Sequence, residues 1–222
     1  MSLIVTFDCY GTLIDWLKGL RDALRKYLGL GDRLQDAFIN IWGKRDLELV
    51  SSGYKPYRDI LYEAFKYTLE KMDLEYSEDD VWKLVYSIKE WMPFSDVRDN
   101  LLRIKGHGLI GIISNTDREF ILASIRNIGV SFDRVVVAED IKLYKPNPRV
   151  FNLSRRLMGI NRGDRWIHVS SYPEYDIIPA RESGEDIELL LLNRYGYGGE
   201  DIRFADKVFD SFDELVDYII RS

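Results

Sequence analysis

Leu3-Ile4-Val5-Thr6-Phe7-Asp8-Cys9-Tyr10-Gly11-Thr12-Leu13 begins as a short apolar, β-branched run and ends on an acid, a glycine and a hydroxyl. Val, Ile, Thr and Phe suit a pleated backbone, and an apolar run without alternation reads as a strand covered on both faces. An acid at the carboxyl end of a buried strand stands in the crevice where open α/β sheets hold their chemistry, which makes Asp8 a candidate nucleophile. Asp8 alone reads equally well as a turn former, because aspartate often opens a turn through its own side chain.

Four further apolar runs look like buried parallel strands: Leu109 to Ile113, Arg134 to Val137, Trp166 to Val169 and Ile187 to Leu192. Helical stretches separate them. Asp117 or Arg118 to Ile128 is followed by Gly129, Pro148 to Met158 by Gly159, and Glu174 to Ser183 by Gly184, each glycine standing where a left-handed helix cap sits. The pattern predicts a doubly wound, mostly parallel α/β sheet, finished at one edge by a strand near Lys207 to Phe209 and a helix from Ser211 to Ile220.

Residues 15 to 93 interrupt this alternation with helical spacing and no convincing strand. Ile60, Leu61, Ala64, Phe65, Thr68, Leu69 and Met72 form an apolar stripe, and Ser77 caps a helix carrying Val81, Leu84, Val85 and Ile88. Pro93 marks the return to the sheet, since proline disfavours helix in the residue before it. The expected division is an α/β core of residues 1–14 and 94–222 with a helical domain, 15–93, inserted after the first strand.

The chain has 222 residues, 46% of them hydrophobic, enough for one good core and a second small domain. No apolar stretch approaches the roughly 20 residues that cross a bilayer, and no signal sequence opens the chain, so a cytoplasmic protein without membrane contact is expected. Cys9 is the only cysteine, which excludes an internal disulfide framework and a cysteine-based zinc cluster. A net charge of −6 with scattered positive residues leaves no footprint for nucleic acid. Charged residues reach 31% and Gln35 is the only glutamine, a balance seen in heat-adapted proteins. The expected partner is a small-molecule substrate, with a monomer or homodimer as the unit. Tyr195-Gly196-Tyr197-Gly198-Gly199 lacks the lysine and the strand–loop–helix order of a phosphate cradle and reads as a flexible loop.

Each of the first four strands is followed by polar residues: Asp8, then Ser114 and Asn115, then Lys145, then Ser170 and Ser171. Parallel strands would bring all of them to one crevice. Ser114 and Asn115 suit a substrate carboxylate, phosphate or halide, or serve as a helix N-cap. Lys145 would keep neighbouring carboxylates ionised, or would be one more surface lysine. Asp176 would bind a cation with Asp8 or pair with Lys145, or sit as a solvated helix acid. His168 lies inside its strand and reads as a satisfied core histidine.

Asp8 to Leu13, Ser114-Asn115, the Lys145-Pro146 step and His168 to Asp176 resemble, in order, the four motifs of the haloacid dehalogenase superfamily. The resemblance covers nearly the whole chain and implies a Rossmann-like core, a mobile helical cap in the insertion, and an aspartate nucleophile at Asp8. Superfamily phosphatases usually carry an acid two residues after the nucleophile and another at the fourth strand end. Tyr10 and Ser171 stand there, and with Thr12 and Ser170 they are similar to the 2-haloacid dehalogenase pattern. That resemblance implies attack by Asp8 on a halogen-bearing carbon, an aspartyl ester, and its hydrolysis without metal or cofactor. It makes Asp8, Lys145, Asp176 and Ser171 catalytic, and Tyr10, Thr12, Ser114, Asn115 and Ser170 substrate-binding. Thr12 and Ser114 would hold the substrate carboxylate, and Asn115 would face the halide.

Three positions depart from that pattern. Gly43 follows Trp42 where these dehalogenases have a halide-binding arginine, with Lys44 and Arg45 next in line. Phe151 replaces a tyrosine, and Tyr172-Pro173 replaces an asparagine, with one extra residue before Asp176. An alternative is a phosphatase in which Mg²⁺ is bound by Asp8, the Tyr10 carbonyl and Asp176, with Lys145 facing the phosphate. A further alternative is a catalytically weak protein of the same fold that binds a metabolite or partner.

Overall fold

A computed structural model describes residues 2–221, with the side chain of Asp201 left aside. In chain order the elements are β1 (Leu3–Phe7), α1 (Trp16–Leu28), α2 (Asp32–Ser51), α3 (Tyr57–Lys71), α4 (Glu78–Ser87), α5 (Val97–Lys105), β2 (Leu109–Ser114), α6 (Arg118–Ile128) and β3 (Arg134–Val137). They continue as α7 (Ala138–Ile141), α8 (Arg149–Met158), β4 (Arg165–Ser170), α9 (Ile178–Glu182), β5 (Glu188–Leu192), β6 (Lys207–Phe209) and α10 (Phe212–Arg221).

All six strands pair in parallel in the order β3-β2-β1-β4-β5-β6. β1 lies inside the sheet at the point where the strand order reverses, and Phe7 pairs with both Ile112 and Val169. The crevice at such a reversal opens beside the residue after β1, which is Asp8. Alternate residues of β1 enter different cores: Val5 and Phe7 pack with Ile112, Leu190 and Phe212, and Ile4 packs with Ile113, Trp166 and Leu191. Period-two side-chain alternation puts each set on its own face of the sheet.

α1 to α4 fill the interval between β1 and α5. Their buried face holds Phe38, Trp42, Ile60, Phe65, Leu69, Val81 and Leu84 in one core continuous with a sheet face. The Trp42 and Phe65 rings stack with centroids 5.5 Å apart. Ser77 closes a reciprocal capping box with Asp80 at the start of α4. The chain enters and leaves this helical region through two segments that pair: Asp15 N–H donates to Met92 O at 3.0 Å and Phe94 N–H to Leu13 O at 3.0 Å. No helix among the described residues is long and apolar enough to cross a membrane.

α6 and α8 end as expected, on Gly129 and Gly159 in the left-handed conformation. The segment expected as one regular helix from Glu174 to Ser183 is instead a π-turn, Pro173–Ile177, followed by α9. Pro179 has no N–H for a regular bond to the carbonyl four residues earlier, and its ring crowds that carbonyl. A π-turn takes up one more residue than an α-turn.

Candidate active site

Asp8, Lys145 and Asp176 form a buried charge cluster at the carboxyl ends of β1, β3 and β4. Lys145 Nζ donates to Asp8 Oδ1 at 2.8 Å, to Asp176 Oδ1 at 2.7 Å and to the Ile113 carbonyl at 3.1 Å. An ammonium has three hydrogens, so every donor of Lys145 is used. Its backbone is clamped as well: Lys145 N–H donates to Asn115 Oδ1, and Asn115 Nδ2 donates to Lys145 O, both at 2.8 Å.

The charges in the cluster are unequal. Burial pushes the Asp8 carboxyl up, Lys145 pulls it down, and Asp176 adds to the rise, leaving it above the ordinary carboxylate range. Burial also opposes ionisation of Asp176, but Lys145 and His168 outweigh it and hold its carboxyl low. Lys145 stays protonated, because its two acids outweigh the burial that would strip its charge. His168 Nε2 lies 2.9 Å from Asp176 Oδ1, and Nδ1 lies 2.9 Å from the Thr6 hydroxyl. This is the satisfied core histidine expected, with a second contact that spacing did not reveal: it supports Asp176 from behind.

Thr12, expected to hold a substrate carboxylate, lies against Asp8. Its hydroxyl donates to Asp8 Oδ2 at 2.9 Å and accepts from Ser171 N–H at 2.9 Å, and the residue is fully buried. Thr12 therefore orients Asp8. Asn115, expected to face a halide, lines the cavity but has its amide turned to the Lys145 backbone. Ser170, expected to touch substrate, accepts from Tyr172 N–H at 3.0 Å and is buried behind the turn. Asn115 thus bonds a backbone thirty positions away, whereas Ser170 bonds one two positions on. Ser114 lines the cavity with a buried, unpartnered Oγ, and Ser171 Oγ is buried without a partner.

The cavity measures about 220 Å³ and lies between Asp8 and the helical insertion. Trp16, Trp42, Tyr57 and Trp91 reach it from the insertion side. Tyr10 also lines it, but its hydroxyl lies 3.0 Å from Ser124 Oγ and burial raises its pKa far above the usual phenol range. Gly11 has φ +91°, and a Cβ there would stand 2.2 Å from the Tyr172 hydroxyl. Tyr172 in turn accepts from Trp16 Nε1 at 2.7 Å, tying the fourth strand end to the insertion.

Neither Lys44 nor Arg45 lines the cavity; Arg45 pairs with Glu48 at 2.9 Å. The helix α2 residues that do line it include Gly43 and Asp46. Asp46 escaped the sequence reading, although its place three residues after Gly43 puts both on one helix face. Asp117 was missed for a different reason. Its carboxylate accepts from Tyr57 and Arg58 N–H, both at 2.8 Å, so it caps α3 from about sixty positions away and no local signal exists. No group of three or more His, Cys, Asp or Glu suited to hold a metal ion occurs among the described residues.

This topology, with an aspartate–lysine–aspartate cluster at the strand-order reversal, defines a doubly wound α/β protein with its site at the strand ends. The haloacid dehalogenase-like hydrolase family model matches residues 3–184, and the chain belongs to that family. Haloacetate dehalogenase H-2 of Moraxella sp. (strain B) is 28% identical over 225 residues, 96% of this chain and 96% of that protein. The (S)-2-haloacid dehalogenase H-109 of Pseudomonas putida is 30% identical over 200 residues, 86% of each chain. The structure of L-2-haloacid dehalogenase from Xanthobacter autotrophicus superposes with a TM-score of 0.82 at 21% identity, over 99% of this chain and 98% of that one. At that identity the superposition speaks for the fold.

Proposed function

We propose that the protein is a hydrolytic dehalogenase of the 2-haloacid type, acting through an ester on Asp8. One observation carries the reading: the three N–H donors of Lys145 are all committed to Asp8, Asp176 and a backbone carbonyl. Such a lysine fixes and charges a nucleophile. It has no hydrogen left to grip a transferring phosphate. Tyr10 supports the same reading, because a buried phenol engaged with Ser124 is a poor acid for an alkoxide leaving group, whereas a halide leaves unprotonated. The names of the relatives agree with it.

Asp8, held by Lys145 and Thr12, attacks the carbon that bears the halogen, forming a carbon–oxygen bond as halide departs with the bonding pair. Water then adds to the Asp8 acyl carbon. Asp176 Oδ2, buried and without a partner, is the acceptor nearest in chemistry to what that water needs. The acyl carbon–oxygen bond breaks, the product alcohol takes a proton, and Asp8 is restored. Under this reading no cofactor enters, Ser171 holds Thr12 through its N–H, and residues 15–93 act as a cap over the core formed by 1–14 and 94–222.

The test is chloride release from L-2-chloropropionate without added metal, with the wild type and Asp8→Asn. Release by the wild type alone is expected. A single turnover in ¹⁸O-water should place the label in Asp8. Phosphate release from a phosphomonoester that requires Mg²⁺ and Asp176, with no chloride release, would replace this reading by the phosphatase.

A further inference from the structure

His168 is fully buried on β4 and held on three sides. Nε2 lies 2.9 Å from Asp176 Oδ1, and Nδ1 lies 2.9 Å from Thr6 Oγ1, which also accepts from Trp166 Nε1 at 2.9 Å. The ring of Phe151 meets the imidazole edge to face, with centroids 5.2 Å apart. Phe151 stands where the dehalogenase pattern has a tyrosine and brings no hydroxyl, so the polar contact in this corner of the core comes from the imidazole.

An ionised Asp176 has no hydrogen to offer, so the hydrogen of this contact sits on Nε2 and His168 is the donor. Lys145 Nζ donates to the same Oδ1 at 2.7 Å. Two donors from different parts of the chain on one oxygen fix the rotation of the carboxylate about its last bond, a torsion that is otherwise soft. They leave Oδ2 as the uncommitted oxygen. The two donors differ in one respect. Lys145 also holds Asp8 at 2.8 Å, and Asp8 loses its charge when an ester replaces its carboxylate. Neither nitrogen of His168 is bonded to Asp8, so its hold on Asp176 is the same before and after the ester forms.

Resting on the dehalogenase reading, we infer that His168 is a positioning residue for the second half of the reaction: its Nε2–H holds the Asp176 carboxylate in place for attack of water on the Asp8 ester, and the first half proceeds without it. In that second half the water oxygen bonds the Asp8 acyl carbon and Asp176 takes one of the water protons. The tetrahedral carbon then releases the product oxygen with the bonding pair, Asp176 returns the proton to that oxygen, and the 2-hydroxyacid leaves. The proton remaining on the Asp8 carboxyl passes to solvent. His168 keeps its Nε2 hydrogen throughout and does not line the cavity, so it acts only through Asp176. A rotated Asp176 slows the water step alone, because attack on the halogen-bearing carbon uses Asp8 aligned by Lys145 and Thr12.

Rapid-quench kinetics with L-2-chloropropionate separate the two halves: chloride reports the first, and the mass of the intact chain reports the ester on Asp8. His168→Phe should release about one chloride per chain at a rate within about threefold of the wild type, then turn over about tenfold or more slowly while ester accumulates. His168→Gln, whose amide nitrogen replaces Nε2 as donor, should recover hydrolysis to within about threefold of the wild type. His168→Asn, whose amide stops short of Asp176, should accumulate ester as His168→Phe does. The contrast between Gln and Asn decides the matter if His168→Phe does not fold. Equal loss in both halves, no loss in His168→Phe, or His168→Gln as slow as His168→Asn overturns the inference. In ¹⁵N NMR of the wild type, whose other histidine is the exposed His107, the buried ring should carry hydrogen on Nε2; a ring protonated at Nδ1 alone overturns the inference as well. No chloride from the wild type ends the dehalogenase reading and this inference with it, whereas chloride from the wild type with unchanged hydrolysis in His168→Phe ends this inference alone.

Discussion

Lys145 has two acids and one carbonyl for its three hydrogens, in a site where its side chain is 2% exposed. Removing it by Lys145→Met leaves Asp8 and Asp176 buried without a counter-charge. The expected cost is about 3–5 kcal/mol in urea unfolding, with loss of halide release. Lys145→Arg should not restore activity, because a planar guanidinium does not fit acceptors arranged around a compact ammonium. Asp46 gives a prediction of opposite kind. Its folded carboxyl titrates at about 7, above the ordinary aspartate value of 3.8, so between these pH values the folded chain holds a proton that the unfolded chain has released. That contribution to stability is full below the unfolded value and is lost as pH rises through about 7. Asp46→Asn does not titrate and should therefore gain, relative to the wild type, on the order of 2 kcal/mol between pH 4 and pH 8, after discounting for its partial exposure. A gap independent of pH in urea melts would show that Asp46 is not raised.

At the scale of elements, the start of α3 is one of the places where the helical insertion is tied to the core. Its first two N–H groups point at Asp117, which sits at the start of α6, and the Tyr144 hydroxyl donates to Lys55 O at 2.8 Å beside them. Helix N-termini leave such donors unsatisfied unless something accepts them. Asp117→Ala should cost about 1–2 kcal/mol. The loss should appear locally: amide exchange at Tyr57 and Arg58 should accelerate while the interior of α6 keeps its protection. Uniform acceleration in both helices would place the effect in global stability instead. The π-turn before α9 belongs to this scale too, since it holds Asp176 in the segment that meets Lys145.

Across the whole molecule, charge is spread over the surface in small networks. Arg25 contacts both Asp22 and Asp32, Lys83 both Asp79 and Asp80, and Arg103 both Asp213 and Asp217. Exposed pairs contribute about 0–1 kcal/mol each at 25 °C, but their desolvation cost falls on heating. A melting midpoint above about 65 °C is expected, lowered by added salt. A midpoint inside the mesophilic range, unaffected by salt, would remove the heat-adapted reading.

Strand positions, the helical interval after β1 and the place of Asp8 at a strand end were legible in the sequence, because burial on both faces, helical periodicity and strand-end polarity are local consequences of residue type, whereas Lys145 and Asp176 were singled out through the resemblance. The resemblance to a known family supplied their order and meaning. Tertiary structure alone decided where the hydroxyls and amides point: Thr12 to Asp8, Asn115 to the Lys145 backbone, Ser170 to Tyr172. It also decided that Asp117 caps a distant helix and that Asp46 enters the cavity. Hydrogen bonds are short-ranged and directional, so the partner of a polar side chain depends on which backbone groups folding brings within about 3 Å, and spacing along the chain carries no record of that.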